Sequence, residues 1–96
     1  MTVSEMFQKH DSEYHHFERI PEVVRYSNRA DLHAFIMLDK IVPGITSIIS
    51  AAEHDEVYLG FEVTDLEGYI TEEQVKDLLR CGVMLNEGLD SLYMFA

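Results

Sequence analysis

The chain has 96 residues, 47% of them hydrophobic, and sets 18 Asp and Glu against seven Lys and Arg, for a formal net charge of −11. That apolar content excludes an intrinsically disordered chain, and the length suits one domain, residues 1–96, built on a single core. The charge argues against direct nucleic-acid binding and against anionic membranes, because phosphates are repelled over a Debye length of roughly 8–10 Å.

Val3, Met6 and Phe7 have helical spacing and predict a short amphipathic helix over Val3–His10. Asp11–Tyr26 shows no clean period. Pro21 limits any helix through it, and Phe17, Ile20, Val23 and Val24 are expected to pin it to the core. Asp31 is the expected N-cap of a helix carrying Leu32, Phe35 and Ile36, continuing over Asp39–Val42 until Pro43-Gly44 stops it. A second short helix is expected from Thr46 or Ser47 through Ile48, Ile49 and Ala52 to about His54. Val57, Leu59, Phe61 and Val63 then alternate with Tyr58, Gly60 and Glu62, the clearest strand signal in the chain. Gly60 inside that strand predicts a bulge or close packing. Thr71-Glu72-Glu73-Gln74 is a capping box opening a helix with Val75, Leu78 and Leu79 as its buried stripe and Gly82 as its C′ residue. Val83–Leu85, a turn at Asn86-Glu87-Gly88 and Leu92–Phe95 read as a closing hairpin.

The order predicts an α+β domain: N-terminal helices, a small antiparallel sheet, and the capped helix followed by a C-terminal hairpin, packed on Val57–Val63. Its expected core holds Leu32, Phe35, Ile36, Ile49, Leu59, Phe61, Val75, Leu78, Leu79, Val83 and Leu92. The order is distantly winged-helix-like. A winged-helix DNA reader needs a basic recognition helix, whereas Thr71–Arg80 offers Glu72, Glu73 and Asp77 against Lys76 and Arg80, so a DNA-binding role is not expected.

His10, Asp11, Glu13, His15 and His16 are the densest set of potential metal ligands. Adjacent His15 and His16 point apart in either regular structure, and the spacing fits no metal pattern, so the segment reads as polar surface or interface. Glu53-His54-Asp55-Glu56 would suit a general base or a metal half-site; a helix C-terminus with a solvated turn is the preferred reading. Cys81 follows a helix, where the dipole disfavours a thiolate, and reads as a buried structural thiol. It has no disulfide partner in the chain. The dispersed glycines form no phosphate-binding loop or dinucleotide fingerprint. No catalytic residue, metal ligand or cofactor is assigned, and no enzyme is expected. Apolar runs are short, such as Phe35–Leu38, so no membrane-spanning helix is expected. Met1–Lys9 lacks a continuous apolar stretch, so no signal peptide is expected either and the cytoplasm is the expected compartment.

The charge is regional: residues 41–96 hold eleven acids and two bases, residues 1–40 seven acids and five bases. Glu53, Asp55, Glu56, Glu62, Asp65, Glu67, Glu72, Glu73 and Asp77 form the candidate partner-binding set. The Lys and Arg side chains that hold phosphates also hold carboxylates, so such a surface could occupy a nucleic-acid channel. The apolar end Leu92-Tyr93-Met94-Phe95-Ala96 reads as an uncovered edge strand and predicts a homodimer.

Asp31-Leu32-His33-Ala34-Phe35-Ile36-Met37-Leu38-Asp39, Ala51-Ala52-Glu53-His54-Asp55-Glu56, Cys81-Gly82-Val83 and Asp90-Ser91-Leu92-Tyr93-Met94-Phe95 together resemble small acidic proteins of tailed phages, over residues 31–96. The resemblance implies a setting and no site residues: an accessory inhibitor or modulator of host machinery, anti-CRISPR proteins among them, acting in the host cytoplasm. The acidic charge is what points to a host protein with a basic surface as its partner. A structural or self-assembling accessory subunit is the alternative. A small metal-dependent enzyme using His54 or His10–His16 is the third class.

Overall fold

A computed structural model describes residues 2–44, 49–53, 56–86 and 91–95. Helix α1 (Val3–Lys9) opens on a reciprocal cap: Thr2 Oγ1 accepts from the Glu5 N–H and Glu5 Oε1 from the Thr2 N–H. It buries Val3, Met6 and Phe7. Three single 3₁₀ turns follow, at Asp11–Glu13, Phe17–Arg19 and Glu22–Val24. Ile20 is buried and Phe17 packs against the core, as expected, but Val23 and Val24 are 93% and 58% exposed. The segment is anchored one turn earlier. Arg25 donates to the carbonyls of Ile20 and Phe17 and lies 4.5 Å from the Phe17 ring centroid, which leaves the Glu22–Val24 turn on the surface.

Helix α2 (Ala30–Ile41) stops short of Pro43-Gly44 as its sequence requires. Its N-cap is Arg29 rather than Asp31, which sits inside the first turn and pairs with the Arg29 guanidinium. The buried stripe is His33, Ala34, Met37 and Leu38, while Leu32 and Ile36 are 42% and 36% exposed and Phe35 is half-buried. The helix is apolar almost all round, so spacing alone does not choose its inward face; packing rotates it by about one residue, ~100°.

Ile49–Glu53 forms a strand, β1, where a helix is expected from the sequence. It pairs with β2 (Glu56–Glu62) through Ala52↔Val57 and Glu53↔Glu56, and the hairpin partner overrides the helix preference of an Ala-rich stretch. Ile49 is half-exposed rather than core. The expected residues Thr46, Ser47, Ile48 and His54 lie outside the described set. Along β2, Leu59 and Phe61 are buried and Val57 packs against the core. Val63 begins a short helix, α3 (Val63–Leu66), instead of ending the strand.

Helix α4 (Glu72–Arg80) carries the Thr71/Gln74 capping box and buries Val75, Leu78 and Leu79. Cys81 is its C-cap and Gly82 follows with φ +92°, the left-handed conformation that glycine adopts without strain. Strands β3 (Val83–Asn86) and β4 (Ser91–Phe95) form the closing hairpin; Asn86 ends β3, and Glu87 and Gly88 lie outside the described residues.

The sheet is four-stranded and antiparallel, in the order β1-β2-β4-β3. The α+β arrangement with a capped helix and a C-terminal hairpin is therefore present. Between Tyr58 and Glu62 the β2–β4 register shifts, around Gly60. Strand β4 lies between β2 and β3 and is paired on both sides, so Leu92, Tyr93, Met94 and Phe95 are not an uncovered edge. A homodimer through that edge loses its geometric basis, because its backbone groups are already spent. The helices cover one face of the sheet, over Leu59, Phe61, Val83, Leu92 and Met94, in one contiguous core cluster. No helix among the described residues is long and apolar enough to cross a membrane.

Candidate partner-binding surface

The acidic set spreads over β2, α3 and α4, and each described carboxylate has a local task. Glu62 and Asp65 form a reciprocal cap on α3. Glu67 Oε1 accepts from the Val3 N–H at 2.7 Å, joining α3 to the start of α1. Glu72 lies 3.3 Å from His10 Nε2 and 3.6 Å from Lys9 Nζ, joining α4 to the end of α1, and these contacts hold its carboxyl below the usual range. Glu73 pairs with Lys76 and Asp77 with Arg80, each one helical turn along α4. Glu56 accepts from the Tyr58 hydroxyl. Glu53 is described only as a β1 position in register with Glu56, and Asp55 lies outside the described residues.

The cations are engaged as well. Lys9, Arg19, Arg29, Lys76 and Arg80 pair with carboxylates. Arg25 binds carbonyls and the Phe17 ring, and Lys40 lies 5.2 Å from the centroid of the Tyr26 ring. The internal pairs therefore use every Lys and Arg while a net charge of −11 remains.

The histidine segment diverges. His10 turns to Glu72 and His16 to Glu18; His15, at φ +63°, lies over Gly82, and its N–H donates to the Leu79 carbonyl. Glu13 bridges Arg19 at 2.8 Å and Arg80 at 3.0 Å, and those two guanidinium groups pull its carboxyl down to about 2. Asp11 lies at a groove of about 350 Å³ bordered by Phe7, Tyr14, Leu79 and Met84. Among the described residues, no three His, Cys, Asp or Glu side chains are placed to hold a metal ion. Cys81 is buried, and burial pushes its thiol up to about 12.

Two features escape the spacing analysis. His33 is 2% exposed, and an imidazole inside the apolar run of α2 was the available signal. The second is the sheet face away from the helices. Cross-strand register puts Met84, Tyr93 and Tyr58 in one row and Phe95 opposite Glu56 in the next. Tyr58 and Tyr93 have ring centroids 6.4 Å apart, Tyr93 and Phe95 meet edge to face at 5.9 Å, and the Tyr93 hydroxyl reaches Met84 Sδ. Alternation in β2 and β4 was the signal, but only the pairing of those two strands assembles the rings.

No protein-family model matches the chain, and neither the curated proteins nor the solved structures include a significant match.

Proposed function

We propose that the protein is a binding module whose acidic surface engages a partner with a basic surface, and that by doing so it inhibits or modulates that partner. The observation that carries this reading is the charge balance: each of the chain's Lys and Arg side chains already has a partner within the chain, and the excess of carboxylates is left for cations supplied from outside. The partner that fits best is a protein whose Lys and Arg otherwise hold nucleic-acid phosphates, since carboxylates take the same bidentate contacts. An accessory protein of a phage, acting on host machinery, is a natural setting for such a module.

The test is to capture a partner from host lysate, then measure its affinity at low and high salt with and without competing nucleic acid. Substituting Glu62, Glu67, Glu72 and Glu73 together by Gln retains an acceptor oxygen for the internal bonds and removes four charges. Affinity should fall as salt rises, should fall again in the four-Gln variant, and should be competed by nucleic acid. Salt-independent affinity that the variant keeps in full would reduce the carboxylates to a solvated surface.

A further inference from the structure

The outer face of the sheet combines aromatic rings and a carboxylate on strands that carry no Lys or Arg. Tyr58, Tyr93 and Phe95 stand on it, the Tyr93 centroid 6.4 Å from that of Tyr58 and 5.9 Å from that of Phe95, and Phe95 is 47% exposed. Glu56 sits directly across from Phe95 and accepts the Tyr58 hydroxyl. A carboxylate has about four acceptor positions, so that bond leaves room for others. No Lys or Arg occurs in residues 49–62 or 83–95, the span of all four strands.

Aromatic platforms that stack nucleobases are flanked by cations that hold the backbone, and the strands of this face carry none; Arg29, which borders a cavity with Phe95, is already paired with Asp31. A second copy of the chain is a poorer source of the missing charge, because each of its own Lys and Arg already has a partner. What the face offers is an exposed aromatic ring, Phe95, and a carboxylate, Glu56, directly across from it, the two contacts that a guanidinium makes at once.

We infer that this face docks an arginine-bearing segment of a protein partner, with a guanidinium lying on the exposed Phe95 ring beside Tyr93 and hydrogen-bonded to Glu56. The inference rests on the basic-partner reading above and names the part of the molecule that selects arginine. Lysine fits less well, because a compact ammonium neither stacks on a ring nor makes a bidentate contact.

The probes are an octa-arginine and an octa-lysine peptide, titrated at low salt by calorimetry and by NMR of the aromatic side chains. Octa-arginine should bind more tightly than octa-lysine and should shift the ring resonances of Tyr58, Tyr93 and Phe95. Phe95→Leu and Glu56→Gln should each weaken octa-arginine binding by roughly 5- to 10-fold, and should narrow the preference over octa-lysine. The NMR shifts are read on the unaltered protein, so the outcome does not depend on the variants folding. Equal affinity for the two peptides with unmoved ring resonances would overturn the inference. If binding were then lost in the four-Gln variant, the basic-partner reading would survive on α3 and α4. Failure of both peptides to bind would remove both.

Discussion

The backbone N–H of Tyr26 donates to Nδ1 of His33 at 3.0 Å, and the two rings stack with centroids 5.2 Å apart. An accepting Nδ1 puts the ring proton on Nε2, which is buried with no hydrogen-bond partner among the described residues. Burial pushes the His33 pKa down from its ordinary 6.5; Asp77 on α4 opposes the shift and Arg25 adds to it.

Protonating His33 would turn its acceptor into a donor facing the Tyr26 N–H. The unfolded chain binds this proton more readily than the folded one. Stability is therefore full above about pH 6.5 and declines as pH falls toward the depressed folded value. His33→Asn keeps an acceptor for Tyr26 without a titrating ring. It should cost about 1–3 kcal/mol at neutral pH through lost packing and should flatten the decline below pH 6.5. Urea unfolding at pH 5 to 8 measures both; an unchanged slope would refute the role of His33.

Glu13 predicts a second, lower window. Its carboxyl is held at about 2, against an ordinary 4.5, by Arg19 and Arg80. A carboxylate with a depressed pKa contributes above its unfolded value and loses that contribution as pH falls from 4.5 through 2. Glu13→Gln should lower the urea midpoint at neutral pH and remove part of the pH dependence between those limits. Equal midpoints at neutral pH would show that the bridge contributes nothing to stability.

Gly82 has φ +92°, and a Cβ placed on it would lie 3.0 Å from Cε1 of His15. Gly82→Ala should cost about 1–2 kcal/mol through left-handed strain alone, with the His15 contact added to it. Combining it with His15→Gly removes the ring and relieves the φ +63° at that position, so the double variant should recover part of the loss. Thermal melts of the three variants decide it.

Cys81, 4% exposed with its thiol pushed up to about 12, should resist alkylation. Iodoacetamide at pH 8 should modify the folded protein on the order of 100-fold more slowly than protein in concentrated urea. Comparable rates would place the thiol at the surface.

The sequence by itself determined the elements whose signals are local. Thr71, Gln74 and Gly82 mark both ends of α4 because capping and left-handed glycine are decided within a few residues. Alternation from Val57 to Phe61 marks β2 because a half-buried strand repeats every two residues. Pro43-Gly44 likewise ends α2. Tertiary structure decided what local chemistry leaves degenerate. Ile49–Glu53 became a strand only because β2 was there to pair with it, and α2 turned His33 inward instead of Leu32 because its surface is apolar on several sides. For the candidate site, composition and charge located the acidic half. The aromatic face was legible only as scattered residues, because Tyr58 and Tyr93 are 35 positions apart until β4 inserts between β2 and β3. The same insertion removed the expected free edge at Leu92–Phe95: hydrogen bonding to two neighbours is a property of strand order, which no single segment encodes.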